Sequence, residues 1–170
     1  MLSATNRGAK RNDNDFYPTP TWVTEELIKK LIIPKSSTCL EPCVGDGAIW
    51  NVIKPYFSSM GWAELSKGRD FLTYDFGNNH FDFVITNPPF SLAEEFICRS
   101  LELADCVVML LRLNFLGGQK RYDRFWSMPK YKPTGQIICS DRPSFTGKGN
   151  GRYRVCVDLV GQNGYTADWY

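Results

Sequence analysis

At 170 residues, with 43% hydrophobic and 22% charged residues, the chain has the composition of one soluble globular domain large enough to bury a substantial core. No apolar run approaches the roughly 18–20 residues of a membrane helix, and the opening MLSATNRGAKRNDND lacks the apolar centre of a signal peptide. Residues 1–13 read as a flexible polar tail, and the expected location is the cytoplasm. The net charge of +2 hides an asymmetry: residues 1–111 hold ten Lys/Arg against fourteen Asp/Glu, and residues 112–170 hold ten against four. A basic final part predicts a side that faces a polyanion.

The six cysteines (39, 43, 98, 106, 139 and 156) form no CxxC pair and sit mostly within apolar runs. They are expected as free buried thiols of a reducing compartment, which argues against a disulfide framework or a zinc site. His80 is the only histidine. Without clustered partners it reads as a surface residue, and neither a metal site nor a histidine-based triad is expected.

In chain order, TWVTEELIKKLI places Trp22, Val23, Leu27, Ile28, Leu31 and Ile32 at helical spacing. SSTCLEPCVGDG reads as a short strand entering a glycine turn, and AIWNVIKPYF as the helix after it. MGWAEL is a second candidate strand, and HFDFVITN a third, rich in β-branched and aromatic residues. SLAEEFICRSLELA has a helical pattern with Ser91 as a candidate N-cap, and DCVVMLLRL reads as a fully buried strand. KRYDRFW is a short helix or irregular segment, while GQIICS and YRVCVDLV are later strands around the glycine-rich RPSFTGKGNG. There is no internal repeat, low-complexity tract or interdomain linker. Alternating strands and helices predict a single α/β domain over residues 1–170, with a largely parallel sheet.

Such sheets bind ligands beyond the carboxyl ends of their strands, and two unusual stretches fall at such ends. In LEPCVGDGAIW, Gly45 and Gly47 allow a tight turn and close approach to a ligand. Glu41 just before them suits a ligand bearing ammonium or hydroxyl groups. The third glycine of a dinucleotide loop and the GxxxxGK[ST] of a phosphate loop are both absent. In ITNPPFS an amide, two prolines and an aromatic stand side by side. As a bare pattern this is either a strand-to-helix connector or a site.

Taken together these stretches resemble a DNA adenine-N6 methyltransferase, particularly the small enzymes carried by bacteriophages. DFYPTP is similar to the family's YTP-like opening motif, with Pro18 interrupting it. EPCVGDG is similar to its E/DPxxGxG cofactor loop, and TNPPF to its [DNS]PP[YFW] catalytic loop. LLRLNFLGGQKRYDRFW and RPSFTGKG also resemble stretches of the phage enzymes, so the likeness spans residues 14–149. Either YRVCVDLV supplies the final strand of that family or the chain stops before it.

The resemblance implies a Rossmann-like class I methyltransferase sheet with helices on both faces, S-adenosylmethionine as cofactor, and double-stranded DNA as partner, with no metal. It implies that Asn87, Pro88, Pro89 and Phe90 are catalytic. The Asn87 side-chain oxygen and the Pro88 carbonyl would accept the two N–H groups of an adenine amine and localise its lone pair. Phe90 would stack on the extruded base. Cofactor contacts are expected from Tyr17, Thr19 and Pro20, where a hydroxyl can bond the cofactor carboxylate, and from Glu41, Gly45 and Gly47. Glu64 is expected on the ribose hydroxyls, with Asp70 and Phe71 on the adenine ring. DNA contacts are expected from Arg112, Asn114, Lys120, Arg121, Arg142, Ser144, Phe145 and Lys148. Methylation of RNA or of a protein glutamine, or a nucleic-acid-binding homologue weak in catalysis, are the competing readings.

Overall fold

The computed structural model describes residues 18–139, 141 and 143–144, together with the strand at 155–161. Tyr17, Arg142, Phe145 and Lys148 lie outside the described residues.

Six strands form one sheet in the order β2-β1-β3-β4-β6-β5. They are β1 (Thr38–Glu41), β2 (Ser59–Trp62), β3 (Phe81–Thr86), β4 (Ala104–Arg112), β5 (Gly135–Ile138) and β6 (Val155–Gly161). β2, β1, β3 and β4 are mutually parallel. β6 is antiparallel to both of its neighbours, β4 and β5. The sheet is therefore mixed rather than parallel throughout. β6 takes the place between β5 and β4. The VCVDLVG stretch, Val155–Gly161, thus supplies a sheet strand.

Side-chain alternation on the central strands makes two cores. Leu40, Val84, Val107, Met109 and Leu111 face one way, against Phe96 and Ile97 of α3 (Ala93–Leu103). Cys39, Phe83, Ile85, Cys106, Val108 and Leu110 face the other, against Val23, Leu27 and Ile28 of α1 (Thr21–Lys30) and Ile53 of α2 (Trp50–Ile53). β4 is buried along its length except at Asp105 and Arg112, as a strand covered on both faces must be. Helices therefore cover both faces.

Several elements are shorter than their sequence pattern. The stretch after the glycine turn makes only α2 before Pro55 directs the chain into a 3-10 turn, Lys54–Tyr56. Ser91 is not a helix cap: it lies within a 3-10 turn, Phe90–Leu92, and α3 begins at Ala93 without a side-chain cap. KRYDRFW forms α4 (Gln119–Arg121) running into a π-helical turn, Tyr122–Trp126. His80 is half-exposed and pairs with Asp105 at 3.0 Å. Among the described residues, no helix is long and apolar enough to cross a membrane.

The order 2-1-3 means that the chain leaves β1 toward one side and returns on the other. That reversal opens a crevice beyond the carboxyl ends of β1 and β3. Both unusual sequence stretches end there.

Candidate active site

The crevice is a cavity of about 570 Å³, a size suited to a small organic ligand. Four carboxylates line it: Glu41 from the end of β1, Asp46 from the glycine turn, Glu64 after β2, and Asp70. Asn87 and Pro89 line it from the end of β3, and Thr19 from the segment before α1.

Glu41 is 1% exposed, and its Oε2 has no hydrogen-bond partner. Burial, reinforced by the charges of Asp46 and Glu64, pushes its carboxyl up to about 8. A buried carboxylate oxygen without a donor is costly unless something completes it. Its position in a cavity with three further acids suits a cationic ligand group.

Glu64 contributes differently. It follows β2 and pairs with Arg69 in an isolated bridge. Its Oε2 accepts from the Gly45 N–H at 2.8 Å, and its Oε1 accepts from Ser66 N at 3.0 Å and Ser66 Oγ at 2.6 Å. Burial works to raise its pKa, but the bonds from Ser66 and Gly45 outweigh it and hold the carboxyl below its usual value. Glu64 is thus an ionised group that ties the glycine turn to the β2 end.

Gly45 and Gly47 both have positive φ, 52° and 87°. Their roles differ. Gly45 lines the cavity, whereas a Cβ built at Gly47 meets the Asn51 amide at 3.2 Å. Gly47 lines a separate groove beside Trp50 and Trp62. It shapes the turn, and of the two glycines it is Gly45 that lines the cavity. Gly47→Val is therefore expected to lower stability by about 1–3 kcal/mol through backbone strain, seen as a reduced melting temperature. A variant that melts like the parent but has lost cofactor affinity in calorimetry would place position 47 against the ligand.

Asp70 lines the cavity while its Oδ1 accepts from Leu72 N at 3.0 Å. Phe71 is 2% exposed and packs on Phe96 with ring centroids 4.9 Å apart. It forms both core and cavity wall.

At the end of β3, Pro88 is buried and Pro89 reaches the cavity. The Asn87 Nδ2 donates to Thr19 Oγ1 at 3.1 Å. The Arg112 guanidinium, at the end of β4, lies over the Phe90 ring at 4.6 Å. Pro20 is the residue before α1 rather than part of the cavity wall.

Of the residues expected on DNA, Asn114 and Lys120 are exposed and Ser144 is half-buried. Arg121 is engaged within the protein. Its Nε donates to Glu94 Oε1 at 2.8 Å and its Nη1 to the Phe115 carbonyl at 2.8 Å. Arg124 shares the same Glu94 oxygen at 2.9 Å.

The sequence reading did not single out Asp46, Cys43, Leu92 or Phe96, which also line the cavity. Asp46 was hidden as a turn residue of GDG. Phe96 carried only the signal of an apolar helix position. Burial raises the Cys43 thiol to about 12, which makes it an unreactive wall group.

Neither a family model nor a curated protein sequence matches the chain. Solved structures do match it. A protein described as an RNA methyltransferase from Pyrococcus horikoshii is 15% identical, with a TM-score of 0.58 over 92% of each chain. A dimethyladenosine transferase from Plasmodium falciparum is 16% identical, with a TM-score of 0.61 over 86% of this chain and 63% of that one. A protein described as a class I S-adenosylmethionine-dependent methyltransferase from Listeria monocytogenes is 14% identical, with a TM-score of 0.64 over 93% of this chain and 64% of that one. With its parallel strands, antiparallel β6 and helices on both faces, the chain has the Rossmann-like class I methyltransferase fold.

Proposed function

We propose that the protein is an S-adenosylmethionine-dependent methyltransferase that acts on the exocyclic N6 amine of an adenine flipped out of duplex DNA. The observation that carries this reading is that Asn87 and Pro89 of the Asn87-Pro88-Pro89-Phe90 loop line the acidic cavity that holds the unpartnered Glu41 oxygen.

The residues fit the cofactor. S-adenosylmethionine has an ammonium and a sulfonium, and four carboxylates line the cavity. Glu41 would accept from the ammonium, Gly45 would let the backbone lie close, and Glu64 and Asp70 would face the nucleoside part beside Phe71. When bound, the cofactor supplies an electrophilic methyl group on a positively charged sulfur.

The chain's own work is to prepare the nucleophile. An adenine amine is weakly nucleophilic because its lone pair is delocalised into the ring. Asn87 Oδ1 and the Pro88 carbonyl each accept one N–H, which draws the nitrogen toward tetrahedral geometry and localises the pair. Pro88 and Pro89 have no backbone N–H to compete and hold the loop rigid. Phe90 provides a stacking surface worth about 1–3 kcal/mol, against an extrusion cost of a few kcal/mol. After methylation the nitrogen is strongly acidic and releases a proton to water, so no low-pKa base is required.

The basic balance after residue 111 and the resemblance of the C-terminal segments to phage enzymes favour DNA. RNA is the second reading, favoured by the Pyrococcus horikoshii neighbour being described as an RNA methyltransferase. Labelled methyl transfer to unmodified DNA, RNA and ribosomal protein offered in parallel tests the choice. Label in DNA is expected; label confined to RNA or protein would overturn the DNA assignment.

The DNA surface makes its own prediction. Exposed Lys120, with Lys148 in the glycine-rich segment, is expected to contact phosphates. Lys120→Gln combined with Lys148→Gln should weaken binding on all sequences and reduce the salt slope by about 1–2. Arg121→Gln should act otherwise, lowering melting temperature because it removes the contacts to Glu94 and Phe115. Titrations at several salt concentrations, in which the double variant follows the parent throughout, would move the DNA contact elsewhere.

A further inference from the structure

The segment before α1 and the end of β3 are 68 residues apart in sequence, yet a side-chain bond joins them: Asn87 Nδ2 to Thr19 Oγ1, 3.1 Å. Thr19 is 6% exposed, so water competes little for this contact. It lies on the same cavity wall as Asn87. The family resemblance had placed the Thr19 hydroxyl on the cofactor carboxylate. In the structure that hydroxyl accepts from the amide that would prepare the substrate.

We propose that Thr19 is a positioning residue for Asn87, holding its side chain in the rotamer that presents Oδ1 to the target amine. The inference rests on the methyltransferase reading of the site and adds to it the residue that sets the geometry of Asn87. Asn87 has torsional freedom about two side-chain bonds and works only when its oxygen accepts a substrate N–H. Its nitrogen branch must be held elsewhere, because an NH₂ turned toward an amine would oppose two donors. Thr19 Oγ1 anchors that branch. Thr19 comes from a different part of the chain than the loop it holds. The wall formed by Pro18 and Thr19 and the catalytic amide are thereby coupled, and displacing that segment releases Asn87.

Three substitutions separate this from a cofactor contact. Thr19→Ser keeps the hydroxyl. Thr19→Val keeps the shape and removes it, and Thr19→Ala removes both. A mispositioned reacting group costs up to about a hundredfold in rate. We expect kcat to fall about 10- to 100-fold in the Val and Ala variants and to stay within about threefold of the parent in Thr19→Ser. Calorimetric affinity for S-adenosylmethionine should change less than about threefold in all three. A cofactor-carboxylate role would produce the reverse split, with affinity falling in Val and Ala and kcat at saturation retained. That result overturns the proposal, as does a Thr19→Ser enzyme as slow as Thr19→Val.

A readout independent of activity is the pair of Asn87 side-chain N–H signals in ¹H–¹⁵N spectra. They are expected to be distinct and slow to exchange in the parent and in Thr19→Ser. In whichever of Thr19→Val and Thr19→Ala keeps the parent's backbone spectrum, they should exchange at least tenfold faster. Unchanged signals in such a variant overturn the proposal. If the signals respond as expected but the parent transfers no methyl group to any substrate, the methyltransferase reading has failed while the Thr19–Asn87 coupling stands.

Discussion

Asn87→Ala is expected to reduce methyl transfer by at least about 10²–10³-fold while leaving S-adenosylmethionine affinity within a few-fold of the parent. The size follows from the loss of one preorganised hydrogen-bonding group aimed at charge that develops in the transition state. Asn87 meets Thr19 across the cavity lining, whereas the orphaned oxygen that would take the ammonium belongs to a different side chain, Glu41. Binding and chemistry are therefore expected to separate. Asn87 also sits at the end of a strand whose core residues, Phe83, Val84 and Ile85, remain in place. A stable variant is expected, with circular dichroism and melting close to those of the parent. Single-turnover rates with saturating cofactor check the claim, and an Asn87→Ala enzyme at the parent's rate would remove the TNPPF loop from the chemistry.

The second large effect is expected at Glu41, and it has opposite signs for binding and stability. Replacing a charge-assisted bond to an ammonium by a neutral one costs about 1.5–3 kcal/mol, so Glu41→Gln should weaken cofactor affinity by about 10- to 100-fold. Stability should move the other way with pH. Burial, with Asp46 and Glu64, raises the folded carboxyl from its ordinary 4.5 to about 8. Between those values the unfolded chain has released the proton and the folded chain still holds it. The parent therefore loses stability as pH rises from about 4.5 to 8, and the full penalty stands above 8. Glutamine does not ionise. Glu41→Gln should accordingly match the parent near pH 4.5 and melt at increasingly higher temperature relative to it up to about pH 8 and beyond. Melting curves across that range test this, and a difference that is flat with pH would contradict the assigned environment. Cofactor binding at pH 7 should also release a proton, visible as buffer-dependent calorimetric heats.

Much of this arrangement was legible in the sequence, for local reasons. The β-branched run HFDFVITN and the apolar run DCVVMLLRL fit only buried strands. Turn chemistry then put Glu41 and Asn87 at strand ends, where an α/β sheet binds ligands. What stayed hidden depended on distant contacts. Glu64 was recognisable as an acid after a strand, but its bonds to Gly45 and Ser66 depend on how β1 and β2 pair in register. Gly45 and Gly47 look equivalent in GDG, and only their directions separate cavity wall from turn. Arg121 read as one charge of a basic segment, yet Glu94, 27 residues earlier, engages it. The antiparallel β6 was equally invisible, because YRVCVDLV reads as a strand in either direction.

The most direct test of the central claim is the chemical identity of the product. Unmodified duplex DNA is incubated with the protein and methyl-labelled S-adenosylmethionine, digested to nucleosides and resolved by mass spectrometry, with Asn87→Ala as the parallel control. The label is predicted in N6-methyl-deoxyadenosine for the parent and reduced to background for the variant. Label in any other nucleoside, or N6-methyl-deoxyadenosine formed equally well by Asn87→Ala, would contradict the account.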